Sequence, residues 1–124
     1  MMSKEKIDYL KKEILGVFNK FLGDDYLLIA FGSLARGKYD KSSDIDLAVY
    51  RNKTISTKLI FEIREELERK VHTLKDIDLI NLTEKEINLG LLKNILEEGT
   101  QWQKAKNSKE LLGNLKKRLV NIKK

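Results

Sequence analysis

The chain has 124 residues, of which 41% are hydrophobic and 35% charged, and this length and composition fit one compact domain with its own core. It contains no cysteine and one histidine, which excludes disulfides, thiolate zinc sites, cysteine nucleophiles and a multi-histidine metal centre within one chain. The longest apolar run, Tyr26 to Phe31, is much shorter than the ~20 residues of a membrane span. The N-terminus leads into no signal-type apolar stretch, so we expect a cytoplasmic protein without membrane contact.

The net charge of +6 is concentrated near the C-terminus. Residues 100–124 carry eight lysines or arginines against Glu110 alone, whereas the first 99 residues sum to −1. A basic segment of this kind either serves an acidic partner or is a solvated helix face. No aromatic residue follows Trp102 among these lysines, so direct nucleic-acid binding through stacked bases is not expected.

In the first half of the chain, the apolar spacing predicts one helix followed by two strands. Apolar residues from Ile7 to Phe21 recur every three or four positions, and the helix is predicted to stop near Gly23. The run Tyr26 to Phe31 predicts a buried strand. After a polar loop, Asp44 to Tyr50 first alternates and then becomes apolar, as in a second strand.

The second half repeats the alternation of helix and strand. A helix is predicted around Ile60 to Val71, and a third strand over Lys75 to Leu82. Thr83 and Glu86 have the spacing of a capping box before a further helix, which Gly99 would end. A short edge strand over 100–103 and a basic helix at about 107–122 complete the pattern. We therefore expect a single α/β (α+β) domain over 1–124, with a small mixed sheet covered by helices.

Three aspartates carry the chemical information. Asp44 and Asp46 are two residues apart on a predicted strand and so point to the same face, while the intervening Ile45 anchors the strand on the other face. Oxygen ligands of this kind suit Mg²⁺ that is shared with substrate phosphates. Asp78 lies inside the third predicted strand, where a buried acid needs a partner such as a shared cation. Asp76 lies nearer the end of that strand, where we expect it to be solvated. For Asp44 and Asp46, the alternative to a metal site is an exposed strand face whose acids are only solvated.

The turn after the first strand has the composition of a phosphate-binding element. Gly32 lets a phosphate approach the backbone, and Ser33 can cap a following helix whose free N–H groups favour anions. Arg36 lies one turn further on and adds a positive charge. An ordinary strand-to-helix turn is the alternative. His72 is a candidate general base, but a surface or helix-end role is favoured because a metal-dependent mechanism needs no histidine. Trp102 either stacks on a base or a partner, or packs on the sheet edge.

Together these residues resemble a known family. The segment from Gly32 to Gly37, followed by Ser43-Asp44-Ile45-Asp46-Leu47, is similar to the Gly-Ser, ten-residue gap, Asp-x-Asp motif of the DNA polymerase beta-type nucleotidyltransferase superfamily. The short chain and the Ala-Arg-Gly ending resemble its minimal nucleotidyltransferase branch. The resemblance covers roughly Tyr26 to Gln103 and implies the polymerase beta-like fold.

The resemblance also implies an activity. ATP would bind with two Mg²⁺ ions held by Asp44, Asp46 and Asp78, which are the implied catalytic and metal-binding residues. Gly32, Ser33 and Arg36 would bind the nucleotide phosphates. An acceptor hydroxyl, which Asp78 would help to deprotonate, would attack the α-phosphorus and release pyrophosphate.

The minimal branch includes antitoxins whose partner is a HEPN-domain ribonuclease toxin, and some of these antitoxins transfer AMP to a toxin tyrosine. The resemblance therefore implies a protein adenylyltransferase that acts as an antitoxin. Two alternatives remain open: an aminoglycoside-type small-molecule transferase that needs a partner subunit, and a non-enzymatic binding antitoxin with vestigial acids.

We expect the segment beyond Gly99 to form part of the surface that docks the acceptor, because it is the only strongly basic stretch in the sequence. If it docks the acceptor, then removal of residues 107–124 weakens the complex and spares Mg-ATP binding, and charge reversal at Lys116, Lys117 and Arg118 slows association. If the last helix covers the sheet instead, its removal unfolds the domain.

Overall fold

The computed structural model describes residues 4–32, 44–71, 76–103 and 107–122, and side chains as far as Val120. Four helices and four strands follow one another along these segments. In chain order they are α1 (Lys4–Leu22), β1 (Leu27–Phe31), β2 (Ile45–Tyr50), α2 (Thr57–Lys70), β3 (Ile77–Asn81), α3 (Leu89–Glu98), β4 (Thr100–Gln103) and α4 (Ser108–Ile122). Each predicted helix and strand within the described segments is confirmed, with boundary shifts of a few residues.

The four strands form one mixed sheet in the order β3-β2-β1-β4. β1 pairs antiparallel with both β2 and β4, whereas β2 and β3 run parallel and are joined through α2. In this register Asp46 lies beside Phe31 of β1 on one side and beside Asp78 of β3 on the other. The central pair β1 and β2 is almost wholly buried, as expected for strands covered on both faces.

Helices cover both faces of the sheet because successive side chains of a strand point to opposite sides. Leu28 and Ala30 of β1 belong to the core beneath α1 and α2, whereas Leu27 and Ile29 belong to the core beneath α3 and α4. On β2, Ile45, Leu47 and Val49 join the first core, as the alternating pattern predicted. Asp46 therefore points to the α3–α4 side of the sheet, near its end.

A partly buried ion pair links α1 to α2. Glu66 is a buried charged residue of α2, and its carboxylate lies 2.5 Å from Lys20 Nζ of α1 and 2.8 Å from Arg69 Nη2. The hydrogen bond from Lys20 lowers the pKa of Glu66 against the opposing effect of burial, and the charges of Lys20 and Arg69 act in the same direction as that hydrogen bond. The ionised form of Glu66 is therefore the form that the fold stabilises.

Glu66→Gln is expected to lower the melting temperature at pH 7. A carboxyl group whose pKa is lowered by folding stabilises the fold at pH values above its pKa in the unfolded chain, which is about 4.3 for glutamate. This stabilisation is lost as the pH falls through the pKa of the folded protein. The difference in melting temperature between Glu66→Gln and the wild type should therefore become smaller below about pH 4. Thermal melts across pH test this, with the exposed neighbour Glu62→Gln as the control. An equal effect of both substitutions would contradict the role of the ion pair.

The predicted capping box at Thr83 and Glu86 is wrong. Helix α3 begins at Leu89, and its N-cap is Asn88, whose side-chain oxygen accepts a hydrogen bond from Leu91 N at 3.0 Å. Thr83 is engaged elsewhere: its hydroxyl donates to Asn81 Oδ1 at 2.6 Å and accepts from Ile55 N at 2.9 Å. The buried Asn81 competes for the threonine, so the local spacing alone misplaced the helix start by several residues.

The last helix, α4, covers the sheet. Leu111 and Leu115 are fully buried in the core that lies against Leu27 and Ile29. This packing favours the second of the two roles considered for the C-terminal segment, that of a sheet cover. None of the helices in the described segments is long and apolar enough to cross a membrane.

The three basic residues of α4 are not equivalent. Lys116 and Lys117 are exposed, whereas Arg118 is half-buried and donates hydrogen bonds to the backbone carbonyls of Leu82, Glu84 and Lys85. Its guanidinium group therefore fixes α4 to the segment between β3 and α3. The prediction that charge reversal at these three residues slows association stays a prediction, and at Arg118 the reversal would also break backbone contacts.

Candidate active site

Two of the three predicted carboxylates meet on neighbouring strands. Asp46 and Asp78 are direct partners in the parallel pairing of β2 with β3, so both side chains lie on the same face of the sheet. The ladder continues to the strand start, where Ile45 N donates to Asp76 O at 2.9 Å. Asp44 directly precedes β2 and is exposed. The backbone thus holds Asp46 and Asp78 side by side near one end of the sheet.

The electrostatics of Asp46 show how closely the acids are grouped. Its pKa is raised above the ordinary value, first because burial disfavours the charged form, and then because of the negative charges of Asp78 and Asp44. A hydrogen bond between the side chains of Asp46 and Asp78 acts in the same direction. The folded chain therefore concentrates negative charge here, at a cost that a cation would relieve.

Gly32 places the turn after β1 directly against this group. Its φ is +71°, in the left-handed region that glycine adopts without strain. A Cβ atom at this position would lie 2.4 Å from Asp46 Oδ2. Both the conformation and the close approach require glycine, so the predicted phosphate-binding turn begins in contact with the carboxylate pair.

Gly32→Ala is expected to lower stability by about 1–2 kcal/mol through backbone strain, and in addition to displace the Asp46 carboxylate. Gly23→Ala is a matched control, because Gly23 has a φ of +69° but nothing within 4 Å of an added Cβ. Both variants should lose stability in denaturant unfolding through the same backbone strain, with a further loss in Gly32→Ala from the clash with Asp46. Mg²⁺-dependent nucleotide binding and transfer should fall in Gly32→Ala alone. Equal activity of the two variants would contradict the importance of this contact.

A cavity of about 510 Å³ opens beside the carboxylate pair. Its wall combines Asp46 and Asp78 with Arg64 of α2 and with apolar side chains of β1, β3 and α3. The apolar part of the wall is formed by Phe31, Ile77, Leu79, Ile80 and Leu91. Arg64 is held in place by a hydrogen bond from its Nη2 to Leu79 O at 2.8 Å. The cavity can accommodate a partly apolar group next to the acids, with a cation at its rim.

Sequence reasoning missed Arg64. It lies in the charged run from Glu62 to Lys70, where no local motif distinguishes one charge from another. Its position four residues after the buried Ile60 places it at the border of the buried stripe of α2. Helical spacing thus indicates that Arg64 borders the sheet. Only the folded structure shows that Arg64 donates to Leu79 O and lines the cavity beside Asp78.

The carboxylate pair fits a divalent metal ion that is shared with a substrate. In the described segments, no three acidic or histidine side chains converge closely enough to enclose an ion by themselves. Mg²⁺ is commonly held by one or two carboxylates together with waters and phosphate oxygens. The mutual repulsion recorded in the raised pKa of Asp46 is the further observation that favours a cation here. Asp46 and Asp78, with Asp44 beside them, are the residues that would hold it.

Several predicted residues fall elsewhere. Ser33, Arg36 and His72 lie outside the described residues, so their predicted roles stay predictions. Asp76 is exposed, as expected for a solvated acid before β3. Asp78 is exposed as well, so the expectation of a buried acid there is wrong, because β3 is an edge strand of the sheet. Trp102 is buried in the core under α1 and α2, with Lys11 Nζ 5.8 Å from its ring centroid, so it packs against the sheet and is not presented for base stacking.

The fold is that of a nucleotide-transferring domain. The sequence model of the family described as "Polymerase beta, Nucleotidyltransferase" matches residues 22–107, and the chain belongs to this family. It is therefore a nucleotidyltransferase with the fold that the motif implied. A comparison with curated protein sequences finds no match.

Solved structures with the same fold include toxin–antitoxin complexes. A toxin–antitoxin structure with AMP-PNP matches with a TM-score of 0.70 at 20% identity, covering 90% of this chain and 85% of the other. A complex of a tri-AMPylated HEPN toxin with an MNT antitoxin, from Shewanella oneidensis, matches with a TM-score of 0.66 at 18% identity, covering 93% and 84%. The MntA–HepT toxin–antitoxin structure matches with a TM-score of 0.66 at 17% identity, covering 93% and 85%. At these identities the likeness concerns the fold.

Proposed function

We propose that this protein is a Mg²⁺-dependent adenylyltransferase that transfers AMP from ATP to a hydroxyl group of a protein, and that the acceptor is a tyrosine of a HEPN-domain toxin. The observation that carries the proposal is the pairing of Asp46 with Asp78 beside a cavity that has an apolar wall and a cation at its rim. The fold-level neighbours include an MNT antitoxin bound to an AMPylated HEPN toxin, which supports this class of acceptor. A cytoplasmic location, where ATP and Mg²⁺ are available, is part of the proposal.

In this mechanism Asp44 and Asp46 would hold the magnesium ions that accompany ATP, and Asp78 would help to hold the second ion. When bound, the metal neutralises the charge that develops on the phosphate oxygens. Asp78 accepts the proton of the acceptor hydroxyl, whose oxygen forms a bond to the α-phosphorus while the bond to pyrophosphate breaks. Gly32, Ser33 and Arg36 bind the β- and γ-phosphates, and the apolar wall of the cavity receives the acceptor side chain.

The direct test is intact mass measurement of a co-purified partner protein after incubation with ATP and Mg²⁺. The proposal expects a gain of one or more AMP units on the partner, mapped to a tyrosine, and no gain when EDTA is present. Binding of the partner without any mass change would support a non-enzymatic binding antitoxin. Modification of an aminoglycoside in the presence of a second subunit would support the small-molecule alternative.

Asp78→Asn separates metal binding from acceptor activation. We expect this variant to lose transfer by about 100-fold while it keeps most of its affinity for Mg-ATP, because Asp44 and Asp46 still hold the nucleotide-bound metal. Calorimetric titration of Mg-ATP into Asp78→Asn and Asp46→Asn measures the difference. If both variants lose nucleotide affinity equally, the division of roles between these carboxylates is wrong.

A further inference from the structure

A second cavity, of about 400 Å³, lies at the other end of β2 and β3. Asp46 and Arg51 are separated by five positions on an extended strand, or roughly 16 Å, so this cavity is distinct from the carboxylate site. Three basic side chains converge on it from the end of β2, the segment after β3, and α4. The residues that line it are Tyr50, Arg51, Asn52, Thr54, Thr83, Lys85 and Arg118.

The two arginines of this cavity are fixed by backbone carbonyls. Arg51 donates from Nε to Lys53 O at 3.1 Å and from Nη2 to Thr54 O at 3.3 Å. Arg118 donates to the carbonyls of the segment that follows β3, as described above. Because carbonyls do not neutralise charge, these bonds orient the guanidinium groups and leave both positive charges in place.

The charge of the cavity is not balanced by acids. No acidic residue lines it, and within the described segments none of Arg51, Lys85 and Arg118 forms an ion pair. Three cations around one cavity repel each other unless an anion is present. Planar guanidinium groups held in fixed orientation match the oxygens of a phosphate group in particular.

We propose that this cavity, lined by Arg51, Lys85 and Arg118, is a second binding site, for a phosphate dianion that is either free or carried by a nucleotide monophosphate. A ligand there contacts α4 as well as the segments after β2 and β3, so its binding fastens the helix that covers the sheet. The site is independent of the nucleotidyl-transfer function and takes its ligand without a divalent metal.

The test uses the full chain in EDTA, with inorganic phosphate and AMP as separate probes. We expect saturable binding in calorimetric titration and a rise in melting temperature that grows with ligand concentration. Arg51→Gln/Lys85→Gln should weaken the binding by at least about tenfold, because charge-assisted hydrogen bonds are lost. Lys53→Gln is the matched control, since Lys53 is an exposed neighbour outside the cavity lining, and it should bind as wild type. Arg118 is left intact because its backbone contacts support the fold.

The two probes distinguish the source of the phosphate. If inorganic phosphate and AMP bind with equal affinity, the site recognises the phosphate group alone. If AMP binds more tightly, the site recognises a nucleotide. The proposal is overturned if neither probe binds saturably, if the double variant binds as well as Lys53→Gln, or if chloride at matched ionic strength raises the melting temperature equally.

Discussion

Asp46→Asn is expected to abolish nucleotide transfer, with a loss of about 100-fold to 1,000-fold, while the fold stays intact. The substitution keeps the shape of the side chain but removes the charge that would hold the metal ion. Without Mg²⁺ the variant should melt at or above the wild-type temperature, because the charged form of Asp46 is disfavoured by burial and by Asp78. Transfer rates and thermal melts of the purified protein measure the two effects.

Asp76→Asn is the matched control for this experiment. Asp76 lies two residues before Asp78 and is exposed like it, but it does not line the cavity, so its loss should leave transfer unchanged. The same assay on Asp44→Asn tests the third carboxylate, for which we also expect loss of transfer. Wild-type transfer by an Asp44→Asn/Asp46→Asn double variant would remove the assignment of the site.

Removal of residues 107–124 is expected to unfold the domain. The deletion uncovers the face of the sheet on which Leu111 and Leu115 are fully buried, and each of these leucines alone should cost about 2–5 kcal/mol when replaced by alanine. Circular dichroism of the truncated chain should show no cooperative melting. Denaturant unfolding of Leu111→Ala and Leu115→Ala measures the individual contributions.

Val120→Ala provides the control within the same helix, because this side chain is 59% exposed and should change stability by less than about 0.5 kcal/mol. A truncated chain that melts cooperatively and binds Mg-ATP would contradict the covering role of α4. If that folded chain also bound its partner more weakly, α4 would instead be a docking helix.

The sequence predicted the strands and helices well because apolar periodicity reports directly on burial. The alternation around Asp46 also predicted which face of β2 carries the acids, since Ile45 and Leu47 anchor the other face. What could not be predicted depends on contacts between distant segments. The start of α3 depends on a buried Asn81 that engages Thr83, and local spacing has no information on that competition.

The same limit applies to the candidate site. The motif identified Gly32 and Asp46 but could not show that they touch, because their approach follows from the pairing of β1 with β2. The individual contacts of Arg64 and Arg118 could not be predicted, because each residue is one charge among many on an amphipathic helix. Their roles are set by carbonyl groups of Leu79 and Leu82, to which they donate hydrogen bonds across the fold.

Phe31, Asp46 and Asp78 form one row across three adjacent strands. A slip of one residue in the pairing of β2 with β1 or with β3 would place Phe31 or Asp78 on the face opposite to Asp46. The row therefore exists only in the native register. Insertions and deletions are consequently excluded within β1, β2 and β3, because each would shift the row. It follows that the carboxylate pair forms at the same step of folding as the sheet, and that slow amide hydrogen exchange in β2 reports on the integrity of the site as well as on that of the core.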